Sequence, residues 1–365
     1  MKTLRLIIAI LFFPLTVWYA VGVALRNAVY SLGLRKTIRP TVPTIGIGNL
    51  RMGGTGKTPH TEYLIRLLAD RRVALLSRGY GRRSKGFVLS EKAEDPAATV
   101  DVRNAEADFE RLGDEPAMMA RKFPTLTVAV CEDRAEGVRR LMQLPQPPEV
   151  ILMDDVYQHR SVRPTLSILL TEYRDPYFND FILPFGNLRE FRTGRRRADV
   201  VIVTKCPSSL STAMQQRYRR LLRLTARQQL FFSFIDYLPP QALYGSAPWH
   251  PYREILIVTG IAHPEPLLHQ MERQSTVTHL RFPDHHDFTD DDISQIIQTF
   301  DGIKDTDKAI LTTEKDAMRL LRPSIRQHLE ELPLFYIPIK VQLHNPAPFD
   351  NIIRTQTACY STTTL

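Results

Sequence analysis

The sequence predicts an α/β fold: a parallel sheet covered on both faces, a second and smaller α/β unit after it, and an apolar helix in front. Three observations carry this expectation. Short continuous apolar runs recur between segments of helical periodicity, a glycine-rich turn follows the first of them, and residues 6–25 carry no charge. Continuous rather than alternating apolar runs suit strands buried on both faces.

The uncharged stretch LIIAILFFPLTVWYAVGVAL has the length of a bilayer span, with Lys2 and Arg5 before it and Arg26 after. It is too long for a signal peptide and lacks a clean small-residue cleavage site. Trp18, Tyr19 and Tyr30 suit an interfacial belt. Pro14 and the basic flanks leave open whether the helix spans the membrane or lies shallowly in the interface. Residues 1–39 are therefore expected to form a membrane anchor, with the remainder cytoplasmic.

The next unit is expected over residues 40–230. TIGIG (44–48) alternates and ends in glycine, and KTPHTEYLIRLLADRR places Tyr63, Leu64, Leu67 and Leu68 on one helical face. Strand-like runs follow at 73–77, 126–130, 149–155, 166–172 and 198–205. Such a sheet binds its ligand beyond the carboxyl ends of its strands. The segment QLFFSFIDYLPP (229–240) predicts a connecting strand, and runs at 254–262, 308–316 and 334–343 predict the smaller unit over 231–350. The last fifteen or so residues carry no structural signal.

Composition bounds the chemistry. The 365 residues are 43% apolar and 24% charged, with a formal charge of +9, which suits a globular chain with an anionic partner. Cys131, Cys206 and Cys359 are widely spaced and odd in number, which argues against a disulfide framework and a cysteine zinc site. Basic residues cluster at SRGYGRRSKG (77–86) and REFRTGRRRAD (189–199). Without a nucleic-acid module or much aromatic interleaving, a membrane-facing patch or a phosphorylated substrate fits them better than nucleic acid.

The glycine-rich turn NLRMGGTGKTPH points to phosphate. Gly53, Gly54 and Gly56 let successive N–H groups converge on an anion at a helix N-terminus. Lys57 would reach the β and γ phosphates and the Thr58 hydroxyl would ligate magnesium. The expected nucleotide-binding stretch is Arg51, Met52, Gly53, Gly54, Thr55, Gly56, Lys57 and Thr58. The full pattern asks for glycine at position 51, where this chain has arginine. The loop of partitioning ATPases would need a lysine at Met52.

Asp154 and Asp155 close a buried apolar run, the place where P-loop enzymes keep the carboxylate that organises Mg²⁺. Asp114 and Glu115, in LGDEPAMMA, read plainly as a helix start. Phosphoryl transfer to a hydroxyl also needs a base, and an aspartate is the usual one in kinases. FPDHHDF brings Asp284, His285, His286 and Asp287 together. Adjacent histidines do not readily share one metal, so a loop histidine or an Asp–His partnership across a cleft are its two readings.

The ordered set GNLRMGGTGKTPH, LSRGYGR, LGDEP, DDVYQHR, RADVVIVTK, FPDHHDF and LTTEKDA, after an apolar N-terminal segment, resembles the tetraacyldisaccharide 4′-kinase family, the lipid A 4′-kinases of Gram-negative bacteria. The resemblance covers roughly residues 1–345, and that family's loop resembles GGTGKTP without the leading glycine. It implies a P-loop kinase fold with ATP and Mg²⁺ as cofactors. The reaction it implies is transfer of the γ-phosphate to the 4′-hydroxyl of a tetraacylated glucosamine disaccharide 1-phosphate at the cytoplasmic face of the inner membrane, with no nucleic acid and no protein partner required. Asp114 matches the proposed catalytic base and His285 its partner, with His286 the neighbouring alternative in the doubled pair. Thr58, Glu115, Asp154 and Asp155 match the metal-site region. Two other classes stand beside it, a membrane-anchored P-loop ATPase and a lipid-binding regulator with a degenerate nucleotide site. The intact Lys57, Thr58, Asp114 and Asp154 argue against the regulator, and Met52 argues against a partitioning-type ATPase.

Overall fold

The computed structural model describes residues 2–90, 105–284 and 286–358. The apolar runs become β1 (Thr44–Asn49), β2 (Val73–Ser77), β3 (Val88–Leu89), β4 (Thr127–Val130), β5 (Val150–Met153), β6 (Leu166–Glu172), β7 (Val200–Thr204) and β8 (Gln229–Tyr237). Further along are β9 (Gln241–Ala242), β10 (Glu254–Thr259), β11 (Thr276–Arg281), β12 (Lys308–Thr313), β13 (Leu334–Ile337) and β14 (Ile339–Leu343). The helices are α1 (Lys2–Ser31), α2 (Lys57–Leu67), α3 (Ala105–Leu112), α4 (Asp114–Lys122), α5 (Arg134–Met142) and α6 (Thr212–Leu222), then α7 (Glu265–Met271), α8 (Asp290–Asp301), α9 (Glu314–Leu320), α10 (Pro323–Leu329) and α11 (Pro346–Ala358).

The first sheet has nine strands in the order β14-β8-β7-β6-β1-β5-β2-β4-β3. Pairing from β8 through to β4 is parallel, and only the outer pairs β14–β8 and β3–β4 run antiparallel. β1, β2, β5 and β7 are buried at every residue, as continuous apolar runs between two helix layers should be. On one face α2 seats Leu64 and Leu68 against Ile45, Ile47, Leu152 and Ile168. β1 lies between β5 and β6, so the turns after β1 and β5 meet at one crevice beyond the carboxyl ends.

The second sheet, β11-β10-β12-β13-β9, is parallel except for β9. The chain then leaves it: β13 and β14 are separate strands where the sequence suggests one run, because Pro338 interrupts the pairing. β14 joins β8 in the first sheet, and α11 follows. Its Phe349 and Ile353 are buried in the same apolar cluster as Leu64, so the end that carries no signal in the sequence is helical as far as Ala358.

α1 forms over the apolar stretch, and of the two readings of the expected membrane helix the spanning one is corrected: among the described residues no helix is long and apolar enough to cross a membrane. Part of its circumference belongs to protein. Tyr19 donates to the Arg189 carbonyl (3.0 Å), Asn27 Nδ2 lies 3.4 Å from Glu190 Oε2, and Arg160 donates to the Asn27 carbonyl (2.7 Å). Val23 is buried, whereas Phe13, Leu15, Trp18, Val21 and Leu25 face outward.

Candidate active site

The turn from β1 into α2 has the shape of an anion cradle. Gly53 and Gly56 have φ of 102° and 86°, which only glycine adopts without strain. A β-carbon on Gly53 or Gly54 would meet nothing within 4 Å, so these residues are small for the sake of open space and not of packing. Asn49 braces the turn by donating to Thr55 Oγ1 (2.7 Å). His60 braces it from behind, with Nδ1 2.6 Å from the Gly56 carbonyl and Nε2 2.9 Å from Ser233 Oγ. The carbonyl can only accept, so Nδ1 carries the proton. Burial pushes the imidazole down to about 4 and keeps it neutral.

Arg51 contributes its backbone to the turn but sends its side chain elsewhere. The buried guanidinium binds Asp180 Oδ2 at 2.5 Å through Nε and Asp175 Oδ2 at 2.5 Å through Nη2. The backbone continues the tie, with Met52 N donating to Asn187 O and Arg189 N to Leu50 O, both at 2.8 Å. Loop 175–191 is thereby fastened to the phosphate turn.

Asp154 and Asp155 follow β5 and diverge. Asp155 has φ 45° and its carboxylate accepts from Arg189 Nη2 (2.6 Å) and Nη1 (2.9 Å), with Lys57 Nζ at 3.6 Å. Burial alone would raise its pKa, but the Arg189 hydrogen bonds and the Lys57 charge outweigh it and hold the carboxyl far below the usual range. Asp154 instead lines a pocket with Thr58, Thr61, Ser77 and Glu115. Burial, then the neighbouring Glu115 charge, push its carboxyl up to about 7. Asp154 Oδ1 is buried without a hydrogen-bond partner, a costly state for a carboxylate oxygen.

Three hydroxyls and two carboxylates line this pocket, the Thr61 hydroxyl and Asp154 Oδ1 are buried without a hydrogen-bond partner, and the Lys57 charge acts on Asp154. That donor set fits a hard divalent cation. Among the described residues no three His, Cys, Asp or Glu side chains group as a metal site.

Asp114 and Glu115 open α4 after Gly113, whose φ is 87°. Asp114 Oδ2 accepts from Arg319 Nη2 (2.9 Å) and Nε (3.2 Å). Arg319 also bonds Asp316 Oδ1 at 3.1 Å, and Asp316 Oδ2 accepts from Gly260 N and the Thr313 hydroxyl. Glu115 lies 3.6 Å from Lys315 Nζ. A chain of charge pairs therefore runs from the second sheet to the head of α4.

The family model for tetraacyldisaccharide-1-P 4′-kinases matches residues 8–358. This chain belongs to the tetraacyldisaccharide-1-P 4′-kinase family. It is 42% identical over 334 residues to the tetraacyldisaccharide 4′-kinase of Flavobacterium johnsoniae, covering 90% of this chain and 91% of that one. With the enzyme of that name from Parabacteroides distasonis it shares 43% over 345 residues, 90% of this chain and 88% of that one. The ATP complex of LpxK from Aquifex aeolicus superposes with a TM-score of 0.72 at 27% identity, covering 96% of this chain and 99% of that one.

Within this kinase family member the structure brings the expected residues 51–58, Asp114, Glu115, Asp154 and Asp155 to one end of the first sheet. His285 lies outside the described residues. His286 is engaged elsewhere, with Nε2 2.9 Å from Asp292 Oδ2 and its ring stacked on Phe282. Sequence reasoning missed Asn49, His60, Arg189 and Arg319. The adjacency of Asn49 and His60 to the glycine turn was a usable signal. Arg189 opens the basic cluster 189–199, which marks it as cationic but not as Asp155's partner, and nothing in the local pattern of Arg319 marks it.

Proposed function

We propose that the chain is a lipid kinase, transferring the γ-phosphate of ATP to the 4′-hydroxyl of a tetraacyldisaccharide 1-phosphate. The observation that carries the reading is the open glycine turn with Lys57, facing the pocket of Thr58, Glu115 and Asp154, in a chain of this family. The backbone N–H groups of the turn and the N-terminus of α2 bind the phosphates. Lys57 neutralises charge on the transferring group, and Asp155, held by Arg189, keeps Lys57 in place. Thr58, Asp154 and Glu115 would hold Mg²⁺, which, when bound, screens the phosphate oxygens.

Asp114 takes the proton from the attacking hydroxyl, oriented by the Arg319 guanidinium on Oδ2. His285 is its proposed partner in that proton transfer. Phosphoryl transfer asks mainly for such positioning and electrostatics. The acyl chains place the substrate at a bilayer, so α1 is proposed to lie along the inner membrane with the active site on its cytoplasmic side. Residues 40–230 are taken as the kinase unit and 231–350 as the smaller unit that completes it.

The test is direct. Purified chain, labelled ATP, Mg²⁺ and the detergent-dispersed disaccharide lipid should yield a lipid bisphosphate with the new ester at the 4′ position. An ester elsewhere, or none, overturns the reading.

A further inference from the structure

Arg51 raises a question that the phosphate site does not answer: what is the loop it fastens for? The stretch from Asp180 to Phe191 is tightly built. Asp180 Oδ1 accepts from Phe181 N (2.8 Å) and Asn187 N (3.1 Å), and Leu188 N returns to Phe181 O (2.8 Å). The turn closes so closely that a β-carbon on Gly186 would sit 2.3 Å from the Phe181 carbonyl. Arg51 then locks Asp180 from below.

Such a rigid loop turns its large apolar side chains outward. Phe181 is 56% exposed, Phe185 46% and Phe191 39%. The first two stack edge-on with centroids 5.1 Å apart, and Arg192 caps Phe181 at 5.5 Å. Two neighbouring exposed rings on a braced turn are not hydrophobic side chains waiting for the core. The charge around them is mainly positive, since the loop's Asp175 and Asp180 are paired with Arg51. Residues 181–198 hold Arg189, Arg192, Arg195, Arg196 and Arg197, and their one carboxylate, Glu190, is fully buried. Aromatic rings set in arginine suit the boundary between anionic headgroups and acyl chains.

The loop also adjoins α1, through Tyr19 to the Arg189 carbonyl and Asn27 to Glu190. The helix presents Phe13, Trp18 and Leu25 on its outer side and is not long and apolar enough to cross a membrane. An interfacial element holds more firmly when a second contact assists it.

We propose that loop 181–191 is a second docking element for an anionic bilayer surface, with Phe181 and Phe185 inserted at the acyl-chain boundary and the exposed Arg192 and Arg196 over the headgroups. Because Arg189 in the same loop clamps Asp155, and Arg51 ties the loop to the glycine turn, the docked surface sits at a fixed distance from the phosphate site. The choice of a bilayer as occupant rests on the lipid-kinase reading, but its test needs no catalysis.

The full-length chain is sedimented with vesicles of phosphatidylcholine containing phosphatidylglycerol, and with phosphatidylcholine alone. Phe181→Ser/Phe185→Ser should weaken partitioning into the anionic vesicles about tenfold or more, given the apolar area withdrawn. Leu221→Ser, an exposed apolar position on α6, should stay within about twofold of the parent, as a generic loss of surface apolarity would predict. In a Phe185→Trp chain, brominated lipid should quench fluorescence beyond the parent level, which checks insertion without removing the ring. Parent-like partitioning of the double variant, absence of extra quenching, or equal binding to neutral vesicles overturns the proposal. A parent that self-associates through the loop, with vesicle binding untouched by the double substitution, makes a second copy the occupant and overturns it as well. If the parent makes no lipid bisphosphate while the loop substitutions still release it from vesicles, the kinase reading fails and the docking element stands.

Discussion

Arg51 stands where a complete phosphate-loop motif has glycine, and its side chain shows why glycine is not needed there. The backbone can still enter the turn, and the guanidinium joins Asp180 and Asp175. Removing one partner of a buried pair leaves a charge uncompensated. Arg51→Gly would restore the motif in form, yet it should cost roughly 3 kcal/mol of stability. Urea unfolding checks this, and a variant as stable as the parent would contradict the bracing role. Lys57→Ala tests the site itself: turnover should fall by at least about a hundredfold, the usual loss of one preorganised electrostatic group. Near-parental turnover in a folded Lys57→Ala chain would remove Lys57 from the chemistry.

Asp154 gives a pH signature. Its carboxyl, raised to about 7 by burial and then by Glu115, holds a proton in the folded chain that the unfolded chain releases near pH 4. Between those values the native state binds more protons, so the metal-free protein loses stability as pH rises to about 7 and levels off above it. Asp154→Asn lacks that penalty. Without divalent cation its melting temperature should exceed the parent's at pH 8, with the gap closing towards pH 5. A gap that widens on acidification would contradict the assignment. Mg²⁺ should stabilise the parent at pH 8 and the variant less.

At the scale of elements, the sheet was legible because its strands are buried on both faces and read as unbroken apolar runs. β1, β5, β6 and β7 fall on those runs, and α2 carries its apolar face where Leu64 and Leu68 put it. What was not legible has a common cause. β11 is an edge strand with much of it exposed, so it lacks a hydrophobic signature. β3 and β9 have two residues each. α11 is defined by packing across the chain, where Phe349 meets Tyr63 and Phe231 edge-on at 5.9 and 5.2 Å. Phe349→Ala should therefore cost about 3–5 kcal/mol, as truncation of a buried aromatic does. A loss under about 1 kcal/mol in a thermal or urea melt would show that the last helix is peripheral, since surface substitutions stay in that range. α1 illustrates the opposite error. Its apolar run was plain in the sequence, but the polar contacts through Tyr19 and Asn27 that give one side to protein were not.

Across the whole molecule the two sheets meet at α4 and α9. Arg319 reaches Asp114, Lys122 joins Glu314 at 2.5 Å and Glu62 at 2.8 Å, and Lys315 faces Glu115. Apart from Lys122–Glu62, these pairs link residues some two hundred positions apart, which no local pattern can announce. They place groups from both sheets around the acids at the head of α4, where a hydroxyl must meet the phosphate. An enzyme built this way should spend ATP on its lipid and not on water. The measurement that bears most directly on this is the coupling ratio: ADP released against lipid phosphorylated, with and without the disaccharide lipid. A lipid kinase gives one ADP per lipid phosphate and little ADP when the lipid is left out. ADP release at a similar rate in both cases, without phosphate appearing on the lipid, would mean an ATPase of another role and would contradict the account.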